Sequence, residues 1–244
     1  MKHILATAAA AVFSMGTMAS AASFSLDLNG LDGVGGTADD AILTTIPGGL
    51  EGAQTETPLN NVLQGLGLGT DTGGGIFELG GYQGAQVNFS GGGKVRVELF
   101  GWEAGFENTF SLDGNTVGKV NGDPGLNVAA DVNTPLDSFV TSLLGAGALN
   151  FDFTSVNGPG LTPKGGVSNG TNPIVGQNFF ASFGPGNEDA TSGNKLWLFY
   201  DDGDVFGDNH DDLVIRISAV PLPAGALLML TGLGALALRR RKKA

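Results

Sequence analysis

Cysteine is absent from the 244 residues, and histidine occurs only twice. The lack of thiols excludes a disulfide framework, a thiolate metal site and a cysteine nucleophile. Since His3 lies in the first few residues, the body of the chain would keep a single histidine, His210. A zinc site built from histidines therefore lacks ligands, and a Ser-His-Asp triad would have to use His210.

Positive charge is scarce through most of the chain. All 24 acidic residues lie between Asp27 and Asp212, whereas only five of the 12 Lys and Arg residues lie in that stretch. Binding to phosphates needs clustered cations, so nucleic acid is not expected as a partner. Charged residues make up only 15% of the chain and hydrophobic residues 41%, which favours a globular core over a disordered chain.

The first 22 residues are typical of a signal peptide. Lys2 and His3 precede an apolar, alanine-rich run from Ile4 to Met18, and Ala19-Ser20-Ala21 provides the small residues that a signal peptidase accepts. The alternative is an N-terminal core helix, but the run lacks a polar face at helical spacing. We therefore predict export, with cleavage after Ala21 or Ala22.

The last 25 residues combine a proline-containing segment, an apolar stretch and a basic end. The uncharged stretch that begins at Val220 and continues to Leu238 is long enough to span a bilayer at about 1.5 Å per residue. The basic cluster should stay in the cytoplasm, so the acidic body would face outward. The residues that carry this pattern are Val220, Pro221, Leu222, Pro223, Ala224, Arg239, Arg240, Arg241, Lys242 and Lys243.

This C-terminal pattern resembles the VPLPA variant of the PEP-CTERM sorting signal, which is found on exported proteins of Gram-negative bacteria. The resemblance covers the last tenth of the chain. It implies that an exosortase, a membrane peptidase-transpeptidase, cuts near the proline motif and passes the protein to the cell surface or to an exopolysaccharide matrix. The alternative is an ordinary tail anchor without cleavage. In both cases the protein is tethered to the inner membrane, at least before processing.

The body between Ser23 and Ala219 is predicted to be all-β, as a single β-sandwich or jelly-roll-like domain. Gly and Pro, which disfavour helix, number 42 and 10, so together they make up about one residue in five, whereas their usual combined share is roughly 12%. Apolar and polar residues alternate in several short segments that are separated by Gly, Asn and Asp turns. The predicted strands are Phe24–Leu28, Ile76–Leu79, Ala85–Phe89, Lys94–Leu99, Phe139–Leu144, Asn150–Thr154, Asn178–Phe183, Lys195–Tyr200 and Asp212–Ile217.

A single short helix is also predicted, with Thr57 as its cap, Pro58 at its first position and Gly65 at its end. The glycine-rich tracts 65–75 and 91–93 are predicted to be loops.

Six carboxylates are concentrated in residues 201–212, between the last two predicted strands and at the start of the second of them. The simpler interpretation is an acidic, solvated hairpin, and the alternative is a calcium site, because calcium binds six to eight oxygen ligands. An EF-hand is excluded: counting from Asp202, Phe206 and Leu213 occupy the fifth and twelfth positions, which should be ligands. The candidate calcium ligands are Asp201, Asp202, Asp204, Asp208, Asp211 and Asp212.

The segment from Glu98 to Phe110 is the second unusual cluster. On a regular strand Trp102 would share a face with Glu98 and Phe100, and that face could stack on a sugar. A bulge at Gly101 would instead turn Trp102 into the core, which is the more common place for a large aromatic residue.

Support for catalysis in the sequence is weak. Glu98 with Glu103 or Glu107 could form the carboxylate pair of a glycosidase, but acids are too plentiful for this pairing to be specific. A hydrogen-bonding turn residue is the simpler role for His210. The sequence therefore predicts a non-enzymatic exported surface or matrix protein. A carbohydrate-binding module is the alternative, and a glycoside hydrolase comes third.

Overall fold

The fold was derived from a computed structural model, which describes residues 22–30, 32–47, 63–73, 76–102, 107–119, 127–156, 165–174, 176–203, 210 and 212–221. These residues form seventeen β-strands, all paired antiparallel, and a 3-10 turn at Asn169–Thr171. The prediction of an all-β fold is confirmed. The strands are β1 Ser23–Asp27, β2 Ile42–Pro47, β3 Thr70–Gly73, β4 Ile76–Gln83, β5 Gln86–Ser90, β6 Lys94–Trp102, β7 Glu107–Leu112, β8 Asn115–Gly118, β9 Asn127–Val128, β10 Asp137–Val140, β11 Gly147–Ala148, β12 Phe151–Val156, β13 Gly165–Ser168, β14 Asn178–Ser182, β15 Ser192–Gly193, β16 Lys195–Asp201 and β17 Leu213–Val220.

The described strands are arranged in three sheets. The large sheet has the order β10-β6-β17-β16-β14-β4-β2, with β3 paired to β4 and β9 paired to β6. The first small sheet has the order β11-β5-β1-β15, and the second small sheet has the order β13-β12-β7-β8. β17, the last of these strands in the chain, lies between β6 and β16 in the middle of the large sheet.

The main core lies between the large sheet and the two small sheets. Alternate residues of β5, β7 and β12 are buried, which is the period-2 pattern that the sequence shows in its alternating segments. The stacked rings of Tyr200 on β16 and Phe153 on β12, 4.8 Å apart, join the large sheet to the second small sheet. The two-layer arrangement buries apolar residues from all three sheets in one cluster and is sandwich-like.

A second apolar cluster covers the opposite face of the large sheet. Phe100, Trp197 and Val214 from three adjacent strands pack there with a segment that begins in a helical turn, residues 63–66. The predicted helix end at Gly65 is wrong. The turn ends at Gly67, whose φ of 63° and the hydrogen bond from Leu68 N to Leu63 O (2.8 Å) form a glycine cap. The predicted cap at Thr57 and Pro58 lies outside the described residues.

Several strand boundaries differ from the sequence prediction. The strand predicted at Phe139–Leu144 is Asp137–Val140, and Leu144 makes only an isolated bridge to Gly93. The tract 65–75 is not wholly a loop, because Thr70–Gly73 pairs with β4. β2 was not predicted, and its residues Ile42 and Leu43 are exposed at the edge of the large sheet.

Two buried asparagines next to the 3-10 turn bond to the backbone of neighbouring segments. Asn169 accepts a hydrogen bond from Val87 N (2.7 Å) and donates to the carbonyl oxygens of Val87 and Leu149 (both 2.8 Å). Asn172 donates to Ala85 O and Phe179 O (both 3.0 Å) and accepts from Phe179 N (2.8 Å). These side chains satisfy backbone groups that have no strand partner at these positions, which anchors the turn in the interior.

Candidate functional site

The end of the β16–β17 hairpin brings three of the six predicted carboxylates together. β16 ends at Asp201, and Tyr200 pairs with Leu213 at the start of β17, so the residues just beyond this pair lie side by side. One carboxylate oxygen from each of Asp201, Asp202 and Asp212 lies within 4.8 Å of the other two. Asp204, Asp208 and Asp211 lie outside the described residues.

Two of these three carboxylates are buried. Asp201 is 1% exposed and Asp202 is 2% exposed, whereas Asp212 is half-buried. The backbone N–H of Asp202 donates to Asp212 Oδ2 (2.7 Å), and that of Gly203 donates to Asp201 Oδ1 (2.6 Å). Asp201 Oδ2 is buried and has no hydrogen-bond partner. The simple solvated hairpin is therefore an incomplete description of this end, because two of its acids are withdrawn from water.

Asn108 of β7 extends from the second small sheet toward this cluster. It is completely buried, and its Nδ2 lies 3.4 Å from Asp202 Oδ2. Its Oδ1 is buried without a hydrogen-bond partner. The sequence analysis missed this residue, although Asn108 occupies an inward position in the alternation with Phe110 and Leu112, where an apolar residue is expected.

The negative charges affect the neighbouring tyrosine. Burial raises the pKa of the Tyr200 phenol, and the charges of Asp202 and Asp212 raise this pKa further. Tyr200 is therefore a neutral phenol at physiological pH. Gln177 Nε2 lies 3.4 Å from the hydroxyl oxygen of Tyr200, and the Tyr200 ring is part of the main core.

His210 is a buried hydrogen-bonding residue, as the simpler prediction had it. Its Nε2 lies 2.8 Å from Asn178 Oδ1, its ring packs against Phe180, and its φ is 59°. Burial lowers the pKa of His210 to about 4, so the imidazole is neutral at physiological pH.

Trp102 lies in the core, as the bulge interpretation predicted, but the extra residue is Phe100 rather than Gly101. Val214 pairs with Gly101 and Ile215 pairs with Leu99, so Phe100 is an extra residue in β6 at this point. The extra residue shifts the alternation by one, which puts Trp102, 5% exposed, in the same cluster as Leu99. The predicted sugar-binding face that would combine Trp102 with Glu98 and Phe100 is therefore wrong.

Glu98 forms an ion pair on the opposite face of the large sheet. Arg216 Nε donates to Glu98 Oε2 (2.9 Å), and its Nη1 donates to Val132 O (2.8 Å). The guanidinium group also lies over the rings of Phe100 (4.5 Å) and Trp197 (5.2 Å). Of the other two acids in the proposed glycosidase pairs, Glu107 is half-buried on β7 and Glu103 lies outside the described residues.

The two predicted processing segments lie almost entirely outside the described residues. The described residues begin at Ala22 and end at Pro221. Residues 1–21 of the predicted signal peptide and the predicted bilayer span beyond Pro221 therefore lie outside them. Val220, the first residue of the predicted recognition segment, is the last residue of β17 and pairs with Lys94. Among the described residues, no helix has the length and hydrophobicity needed to cross a membrane.

Comparisons with known proteins give no assignment: the chain matches no family model, no curated protein and no solved structure. What bears on its function is the sequence at the two ends and the geometry of the described residues.

Proposed function

We propose that this chain is a non-enzymatic exported protein of the cell surface or extracellular matrix, delivered by an exosortase-type sorting system. The observation that carries this proposal is the order of three sequence patterns: a stretch at 1–22 typical of a signal peptide, a predicted β-rich body at 23–219 and a tail at 220–244 that resembles the VPLPA-type signal. The inner membrane anchors the protein before processing, and an exopolysaccharide is the expected partner after release.

The body is proposed to be a single β-sandwich or jelly-roll-like domain. The shared core between the large sheet and the two small sheets supports this classification. The hydrogen bonds that Asn169 and Asn172 make to separate backbone segments also support one cooperative unit. β17 extends to Val220, one residue beyond the sequence boundary, so Val220 is part of the folded body.

Burial of the large polar aromatic residues supports the ranking of the alternatives. The chain has two Trp and two Tyr, and all four are buried, at 5%, 5%, 7% and 0% exposure for Trp102, Trp197, Tyr82 and Tyr200. Stacking on sugars needs exposed aromatic faces, so a carbohydrate-binding module of that kind remains the second candidate. A glycosidase remains third, because Arg216 already neutralises Glu98.

The test is mass spectrometry of the protein recovered from the cell surface or matrix. We expect an N-terminus at Ala22 or Ser23 and no peptide from residues 227–243. Because Val220 pairs within the large sheet, the C-terminal peptide should still contain Val220, and a cut before it would remove a paired residue of β17. Recovery of an intact basic tail in the surface fraction would rule out exosortase processing and leave a plain tail anchor.

A pair of variants sharpens this test. Pro221→Ala combined with Pro223→Ala should leave the protein in the membrane fraction with its tail, because the recognition segment is altered. Pro135→Ala is a matched control in a described loop far along the chain from the motif, and it should be processed normally. Normal processing of the double variant would contradict the assigned role of the motif.

A further inference from the structure

The end of the β16–β17 hairpin and the inner face of β7 bring several side-chain oxygen atoms close together. Asp201, Asp202 and Asp212 contribute carboxylate oxygens within 4.8 Å of one another. Three carboxylates at this separation repel one another, and the repulsion is strong where two of them are buried. The backbone N–H groups of Asp202 and Gly203 donate to one oxygen of Asp212 and one oxygen of Asp201, respectively.

Two buried oxygens at this place have no partner, and one of them does not belong to the acidic cluster. Asp201 Oδ2 is unpaired, and so is Oδ1 of Asn108, whose side chain reaches the cluster through its Nδ2. Buried polar atoms in native proteins are nearly always paired, with protein, water or an ion. Both orphaned atoms are acceptors. A cation would therefore satisfy them, whereas an anion or a hydrophobic ligand would not.

The chemistry of the oxygen ligands determines which kind of cation fits. Carboxylate and amide oxygens are hard ligands, which suit calcium or magnesium rather than metals that prefer thiolate or imidazole. Calcium accepts six to eight oxygens in an adaptable geometry, whereas magnesium needs a near-ideal octahedron and gives up its water reluctantly. A site assembled from two different sheets, with two ligands in consecutive positions on one strand end, fits the more adaptable ion.

We propose that Asp201, Asp202, Asp212 and Asn108 bind one calcium ion. Asn108 belongs to the second small sheet, whereas the three acids belong to the β16–β17 end of the large sheet. The ion is therefore a cross-link between the two layers, and it neutralises the repulsion among the acids. This site does not depend on how the protein is exported.

The first experiment compares the thermal unfolding of the purified protein in chelator, in calcium and in magnesium. At a tenfold excess of calcium over its dissociation constant, the melting temperature should rise by about 3–6 °C for a chain of this size. Magnesium at the same concentration should raise it by less. If buried Lys119 or other groups already neutralised the carboxylates, calcium would leave the melting temperature unchanged, and the proposal would be wrong.

The second experiment assigns the ligands by calorimetric titration with calcium. Asp201→Asn and Asn108→Ala should each weaken binding by about tenfold or more, because the first replaces a charged carboxylate oxygen with an NH2 group and the second removes the amide oxygen. Asp189→Asn, which changes an exposed acid outside the cluster, is the matched control and should bind like the wild type. If Asp201→Asn does not fold, Asp212→Asn at the half-buried position takes its place in the same comparison.

Two results would overturn the proposal even if calcium bound. Unchanged affinity in Asp201→Asn or Asp212→Asn would show that the ion binds to acids elsewhere in the chain. Unchanged affinity in Asn108→Ala would show that the ion does not connect the two sheets.

Discussion

Replacing Asn169 with alanine should destabilise the protein through unsatisfied backbone groups rather than through lost apolar contacts. Its side chain accepts from Val87 N and donates to two carbonyl oxygens, all in the interior. The carbonyl of Val87 would remain paired, because it also accepts from Leu149 N at 3.0 Å. The variant therefore leaves Val87 N–H and Leu149 C=O without the partner they have now.

The expected loss follows from the cost of burying an unpaired backbone group, about 1–3 kcal/mol for each. Two such groups give a loss of about 2–6 kcal/mol in the free energy of unfolding. Asn169→Asp should be at least as harmful: it keeps an acceptor for Val87 N–H, but it removes the donor to Leu149 O and buries a charge.

The assay is urea denaturation followed by circular dichroism. Asn187→Ala is the matched control, because Asn187 is exposed, and this variant should stay within about 0.5 kcal/mol of the wild type. A loss in Asn169→Ala of less than about 1 kcal/mol relative to the control would refute the reasoning, because the two backbone groups would then have found other partners.

Two further predictions concern the two faces of the large sheet. Trp102→Ala should lower the free energy of unfolding by about 3–5 kcal/mol, whereas Trp102→Phe should lose much less, because it keeps most of the ring and removes an unpaired buried Nε1–H. Unchanged melting with weakened glycan binding would contradict the core assignment and favour the carbohydrate-binding alternative. Arg216→Met should cost about 3–5 kcal/mol, because it leaves the Glu98 carboxylate buried without its partner. Adding Glu98→Gln should recover part of this loss in the same melting assay, and strict additivity of the two effects would argue against a coupled pair.

The sequence predicted those strands in which polar and apolar residues alternate under a covered face. Lys94–Leu99 and Asn150–Thr154 are of this kind, and the structure has β6 and β12 at these places. β2 was not predicted because Ile42 and Leu43 are consecutive apolar residues on an edge strand, where no second layer imposes alternation. The pair Asn169-Gly170 is typical of a tight turn. The turn is there, but the burial of Asn169 depends on backbone segments 82 and 20 residues away, which no local pattern encodes.

The acidic site could be predicted only in part, because some of its residues are near one another in the sequence and one is not. Asp201, Asp202 and Asp212 are neighbours because a hairpin brings together the ends of two consecutive strands, and this is a local property of the sequence. Asn108 joins them from 94 residues earlier in the chain, through the packing of one sheet on another. The sequence shows only that a polar residue occupies an inward position, and its partner is known only when the layers are assembled.

The position of β17 has a consequence for the order in which the protein can fold. Without β17, β6 and β10 have no connection through the large sheet to β16, β14, β4 and β2. When β17 joins the large sheet, it pairs residues that are far apart in the chain, such as Glu98 and Arg216, which are 118 residues apart. Such long-range pairing makes folding slow, because the entropy of closing the loop is lost before the contacts form. The large sheet therefore cannot be completed until Val220 has been synthesised, and a chain that has not yet emerged as far as β17 from the ribosome or from a membrane pore would have a large sheet divided at its centre.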